Sequence, residues 1–119
     1  MRLKADIWVK AYMRRCEIDG AQAVLQRRGD ADAGAIYIKV SRLDGTATLF
    51  GPAPAGMDVE REDRRWVRLL PGEAAPETEC DAYLARQTEF DPDIWIVVVE
   101  DRQGRHFLDD WLAVDTDRH

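Results

Sequence analysis

Asparagine is absent from the 119-residue chain, serine occurs once at Ser41, histidine only at His106 and His119, and cysteine only at Cys16 and Cys80. Each scarcity removes a class of chemistry. Ser41 falls at the end of an expected strand and outside any Gly-x-Ser-x-Gly turn, so the sharp elbow that exposes a hydrolase nucleophile is missing. Cys16 and Cys80 each lie on an apolar helical stripe, where a reactive thiolate paired with His106 is disfavoured. Both are expected as buried thiols. Without a Cys-x-x-Cys or a His pair there is no structural zinc site, and no Gly-rich phosphate loop occurs, so no cofactor is expected.

Long apolar runs are missing too. Nothing approaches the roughly 18 apolar residues of a membrane span, and the first residues lead into an amphipathic pattern instead of a signal segment, so a cytoplasmic protein without a membrane role is expected. Lysine is sparse (Lys4, Lys10 and Lys39), and the formal net charge is -6. The charge is uneven: residues 1–70 carry +3 and residues 71–119 carry -9. That balance argues against nucleic acid as a partner, because such binders present a dense basic surface. Arg27-Arg28 and Arg64-Arg65 with Arg68 are basic doublets, but Glu60, Glu62 and Asp63 offset the second, and the segment from Asp58 to Arg65 reads as solvated.

With 45% hydrophobic residues, the chain has the material for one core, and its length suits a single domain spanning residues 1–119. Trp8, Val9, Tyr12, Met13 and Cys16 make one helical stripe, ended near Gly20. Ala21 to Arg28 reads as a strand. Ile36, Ile38 and Val40 alternate with Tyr37, Lys39 and Ser41, and Asp44-Gly45 supplies a two-residue turn with positive φ at both positions, returning through Thr46 to Phe50. Gly51 to Gly56 is a loop, and a short strand starts at Trp66. A second helix carries Cys80, Tyr83, Leu84, Gln87 and Thr88 on one face and ends at Asp91-Pro92. Ile94 to Val99 is a continuous, largely β-branched run expected in mid-sheet. Arg105 to Leu108 is expected as a last strand, and Asp109 to Val114 as a short helix capped by Asp109. The order predicts an α+β fold, a mostly antiparallel sheet of about five strands with two main helices packed on one face. Its core is expected to hold Trp8, Tyr12, Ile36, Ile38, Val40, Leu49, Val67, Leu84, Ile96 and Val98.

Few residues suggest a site. Asp91 and Asp93 are candidate ligand-site acids beside the glycine loops 29–34 and 51–56. A shared metal ion with Glu100 and Asp101 fails on distance, since a strand of six residues separates the two pairs by roughly 20 Å. His106, with Asp109 and Asp110 at i+3 and i+4, is a candidate acid-base group. Trp8, Trp66 and Trp95 read as core, whereas Trp111 is the expected exposed interaction anchor.

The segments Asp6 to Tyr12, Arg28 to Val40, Leu43 to Ala47 and Phe90 to Ile96 together resemble a family of short bacterial proteins, a domain of unknown function. The resemblance implies no established activity, cofactor or catalytic residue. The expected function is a small non-catalytic protein-interaction module, serving a homodimer through a sheet edge or a basic protein partner. The alternative is a small ligand-binding domain or enzyme using the loop carboxylates.

Overall fold

A computed structural model describes residues 3–54 and 64–113. Helix α1 (Ala5–Ile18) is followed by β1 (Gln22–Arg27), β2 (Ile36–Ser41), β3 (Thr46–Pro52), β4 (Trp66–Arg68), β5 (Ala75–Pro76), α2 (Glu77–Phe90) and β6 (Trp95–Glu100). A 3₁₀ turn covers Asp109–Trp111. The six strands form one sheet in the order β1-β6-β2-β3-β4, with β5 paired to β3. Pairing is antiparallel except between β6 and β2, which run parallel with Ile38 opposite Val97. The β-branched run of β6 therefore sits inside the sheet, between β1 and β2.

The two helices cover opposite faces of this sheet, not one. Trp8, Val9, Tyr12 and Cys16 of α1 pack with Ile36, Ile38, Val40, Trp95, Val97 and Val99. Cys80 and Leu84 of α2 pack with Ala47, Leu49, Ile94 and Ile96. Alternation along a strand sends successive side chains to opposite faces, so a central strand that is apolar at consecutive positions needs cover on both. The same division places Cys16 and Cys80 on opposite sides of the sheet, both buried and free. Burial pushes the Cys16 thiol up to about 11 and the Cys80 thiol above its ordinary value, which keeps both unreactive.

Three further expectations change. The β2–β3 connection is longer than a two-residue turn: Leu43 and Gly45 take positive φ (64° and 89°), and Asp44 does not. Its carboxylate instead accepts from the Thr46 backbone N–H and hydroxyl at 3.0 and 2.6 Å, fixing the turn through a side chain. Arg105 to Leu108 is not a strand. A compact loop stands there, in which Arg105 donates to both oxygens of Asp101 (3.1 and 2.7 Å) and Phe107 has φ 59°. Finally, Asp109 lies inside the 3₁₀ turn, whose start has no side-chain cap. Val67 and Val98, expected in the core, are half-buried.

The loop at residues 29–34 ties the elements together. The first N–H groups of a helix lack partners within it. Here Ala5 and Asp6 donate theirs to the carbonyls of Asp32 and Ala31, at 3.1 and 3.0 Å. The Asp30 N–H reaches the Asp93 carbonyl at 2.9 Å, and Trp95 Nε1 donates to the Asp30 carbonyl at 2.8 Å. The glycines expected to admit a ligand thus admit the protein's own backbone.

Candidate functional site

Helix α2 lies over β2, β3 and β5 and packs on Ile94 and Ile96 at the start of β6, and it leaves the β1 side of this face open, where Val24 is exposed and Val98 half-buried. Between α2 and β1 runs a groove of about 350 Å³, floored by Leu84 and Ile96 and walled by Gln26, Arg27, Lys39, Asp81 and Thr88. Gln26 and Arg27 are adjacent in sequence and would ordinarily point to opposite faces. A register shift between Leu25 and Arg27 sets Arg27 opposite Ile96, and both Gln26 and Arg27 line the groove. Arg27 donates to the Pro92 carbonyl at 2.7 Å, which joins the groove to the end of α2.

One wall is an ion cluster around a buried lysine, with Glu77 and Asp81 partly exposed. Lys39, 6% exposed, donates to Asp81 at 2.8 Å and lies 3.1 Å from Glu77, whose other oxygen accepts from the Ser41 hydroxyl at 3.0 Å. Burial works against the Lys39 charge. Its hydrogen bonds to Asp81 and Glu77 outweigh that burial and hold the ammonium above the ordinary lysine range. A lysine so held is neither a base nor a nucleophile at neutral pH. The sole serine is committed to the same cluster. Sequence reasoning passed over this lysine, although Glu77 and Asp81 stand at i and i+4 on α2, the spacing that aims two carboxylates at one point.

The residues singled out from sequence do not converge. Asp91 and Asp93 are exposed, and neither lines the groove. Asp91 accepts from the Asp93 N–H at 3.0 Å, a turn-forming role. Trp111 is half-buried, its ring edge-on to Trp8 with the ring centroids 5.0 Å apart, and not the freely exposed anchor expected. The outstanding exposed aromatic among the described residues is Phe90, at 85%, the last residue of α2. Arg64 and Arg65, expected in solvent, are buried, and Arg64 reaches the carbonyls of Leu3, Gly34 and Asp32 at 3.3 to 3.4 Å. The rest of that charged segment, residues 58–63, lies outside the described residues, as do residues 55–56 and the tail 114–119, while Gly51 and Pro52, expected in a loop, end β3 and pair with Val67 and Trp66.

His106 holds its loop in place. Its Nδ1 accepts from the Leu108 N–H at 2.9 Å, its carbonyl accepts from the Tyr12 hydroxyl at 2.6 Å, and its ring meets Phe50 edge-on at 5.3 Å. Asp109 turns to Arg15, 2.5 Å away, while Asp110 is exposed. Burial, aided by Arg68 and opposed by Asp109, lowers the His106 pKa, and a proton on Nδ1 would break the bond to Leu108. The unfolded chain, with an imidazole near about 6.5, then binds this proton more readily than the native protein. Stability from neutral His106 is complete above that value and declines as the pH falls through the lower, folded one. Urea midpoints measured between about pH 7 and pH 5 should fall for the native sequence and fall less for His106→Asn, which keeps an acceptor but cannot titrate there.

Among the described residues no group of three His, Cys, Asp or Glu could hold a metal ion, and no helix is long and apolar enough to cross a membrane. The structure therefore defines an α+β protein with a mostly antiparallel six-stranded sheet between two helices, open on the β1 side of one face. The chain belongs to the DUF1491 family, a protein of unknown function, whose model matches residues 3–109. The crystal structure of a DUF1491 family protein from Caulobacter crescentus CB15 is 44% identical, with a TM-score of 0.77 over 96% of this chain and 100% of that one. The NMR structure of a DUF1491 family protein from the same organism is 45% identical, with a TM-score of 0.77 over 96% and 99%. The solution structure of a protein from A. tumefaciens is 36% identical, with a TM-score of 0.72 over 84% and 86%. No curated protein matches the chain.

Proposed function

We propose that this protein is a non-catalytic interaction module, whose contact surface is the β1 edge and the open face beside it. The contrast between the two sheet edges carries this reading. At one end Trp66 of β4 bridges to Leu112, and the Ala113 N–H donates to the Trp66 carbonyl at 2.8 Å, which closes that edge. At the other end β1 pairs, among the described residues, only with β6, and its central Val24 is 42% exposed. An edge strand displays unpaired backbone donors and acceptors, and proteins usually guard such a strand with charge, proline or a covering loop. Gln22 to Gln26 contains neither charge nor proline.

The reading is tested by native mass spectrometry of the protein purified gently from its own host cell, beside a Val24→Lys variant. A stoichiometric protein partner, present on the native sequence and lost from Val24→Lys, is the expected result. A partner that ignores the substitution overturns the assignment of the surface. The competing reading, a ligand-binding domain, draws on the groove and on the register shift that turns Arg27 into it, since bulges often re-aim side chains beside sites. A small molecule or metal retained in place of a protein would establish that alternative.

A further inference from the structure

We infer that the partner of β1 is a second copy of this chain, paired antiparallel across a two-fold axis through Val24. This rests on the interaction-module reading and names the occupant. A two-fold interface must be self-complementary, because each residue at distance n on one side of the axis meets the residue at distance n on the other. Most strands fail this test. The run Gln22-Ala23-Val24-Leu25 passes it about Val24: Val24 meets Val24 and Ala23 meets Leu25, while Gln26 stands at the register shift, beyond the regular pairing.

Each pair is chemically compatible. The aliphatic residues match, and no like charges face each other. Arg27, the first charge, falls beyond the symmetric segment. The irregularity of β1 also begins after Leu25, so Gln22 to Leu25 keeps a regular ladder with β6 and presents a regular outer edge. On the α2 side Val24 stands opposite half-buried Val98, with Gln22 opposite Glu100. Pairing the edges would place two such Val24–Val98 patches side by side and give the exposed valine an apolar neighbour. The cross-strand spacing of about 4.5 to 5.5 Å in antiparallel pairs also makes the axis directly testable, because it lies within the range a disulfide spans.

The test uses purified recombinant full chain. Mass measurement in solution should show a dimer for the native sequence and a mass halved for Val24→Lys, whose ammonium groups would meet at the axis. In parallel, Val24→Cys should oxidise to a covalent dimer. Gln22→Cys should not, because its two copies would stand roughly 13 Å apart, four residue steps along the ladder. Ile18→Cys, exposed on α1, reports random cross-linking, while the native Cys16 and Cys80 are buried. Circular dichroism checks that every variant is folded. A native monomer that gives no Val24→Cys cross-link overturns the second copy as partner, as does a dimer that cross-links best through Gln22→Cys or survives Val24→Lys. These results leave the module reading to the host-cell measurement, where a different protein lost from Val24→Lys would sustain it.

Discussion

Replacing Trp8 by alanine should cost about 3 to 5 kcal/mol, a large share of the roughly 5 to 15 kcal/mol that stabilises an ordinary domain. Trp8 is 2% exposed and stacks on Trp66 at 4.1 Å and on Tyr12 at 4.9 Å, with Trp111 against it edge-on. Its loss opens a cavity where α1, β4 and the 3₁₀ turn meet, and three elements contributing those rings cannot all collapse into it. The urea midpoint should drop steeply with the slope little changed. A second comparison isolates the mechanism. Trp66 Nε1 donates to the Ile36 carbonyl at 2.9 Å, whereas Trp8 Nε1 has no hydrogen-bond partner among the described residues. Trp8→Phe therefore removes a buried unpaired donor together with some packing, while Trp66→Phe removes a bond. Trp8→Phe should be the milder of the two, and an equal or greater loss would show that ring area alone governs this cluster.

Gly29→Ala should destabilise nearly as much, although it adds one methyl group. A Cβ at Gly29 would fall on the Asp93 carbonyl oxygen and within 2.6 Å of the Ile94 carbonyl carbon. Both are backbone atoms at the entry to β6, so no side chain can swing aside. The strand entry or the 29–34 loop must move, and the Asp30–Asp93 and Trp95–Asp30 hydrogen bonds move with it. Overpacking of this kind costs about 1 to 3 kcal/mol and occasionally more. Gly20→Ala is the control. Its φ of 91° strains a Cβ, but nothing lies within 4 Å, so the expected cost is about 1 kcal/mol from conformation alone. Thermal unfolding of the two variants should separate them clearly, and equal midpoints would exclude the clash.

Local patterns in the sequence carried both helices, the β2–β3 hairpin and the central placing of β6, because each rests on a period of 3.6 or 2 within one segment. Three of the four tryptophans were legible as core for the same reason. What escaped depends on contacts between segments. On the face that α2 covers, Lys39 could be read in its strand, but its partners Glu77 and Asp81 lie about forty residues on. Arg64 and Arg65 look solvated beside their acidic neighbours, yet carbonyls of Leu3, Asp32 and Gly34 take up the Arg64 guanidinium. Arg105 to Leu108 has the composition of a strand, but Asp101 holds Arg105 in a tight loop. At the candidate surface, the uncharged run of β1 was visible and its place at the sheet edge was not. Nothing in a single segment says which strand will stand last in a sheet.

The parallel pairing of β2 with β6 also bears on the order in which the chain can fold during synthesis. On the ribosome, α1, β1 and the β2–β3 hairpin emerge well before β6, yet among the described residues β1 has no partner strand except β6. Until Trp95–Glu100 is made, the early half is a hairpin and a lone strand, joined only through the helix above them. The closing contacts span some sixty to eighty residues of chain, the kind of long-range pairing that slows folding. The same valine-rich strand that completes the sheet therefore keeps its nascent form open to other contacts until late in translation.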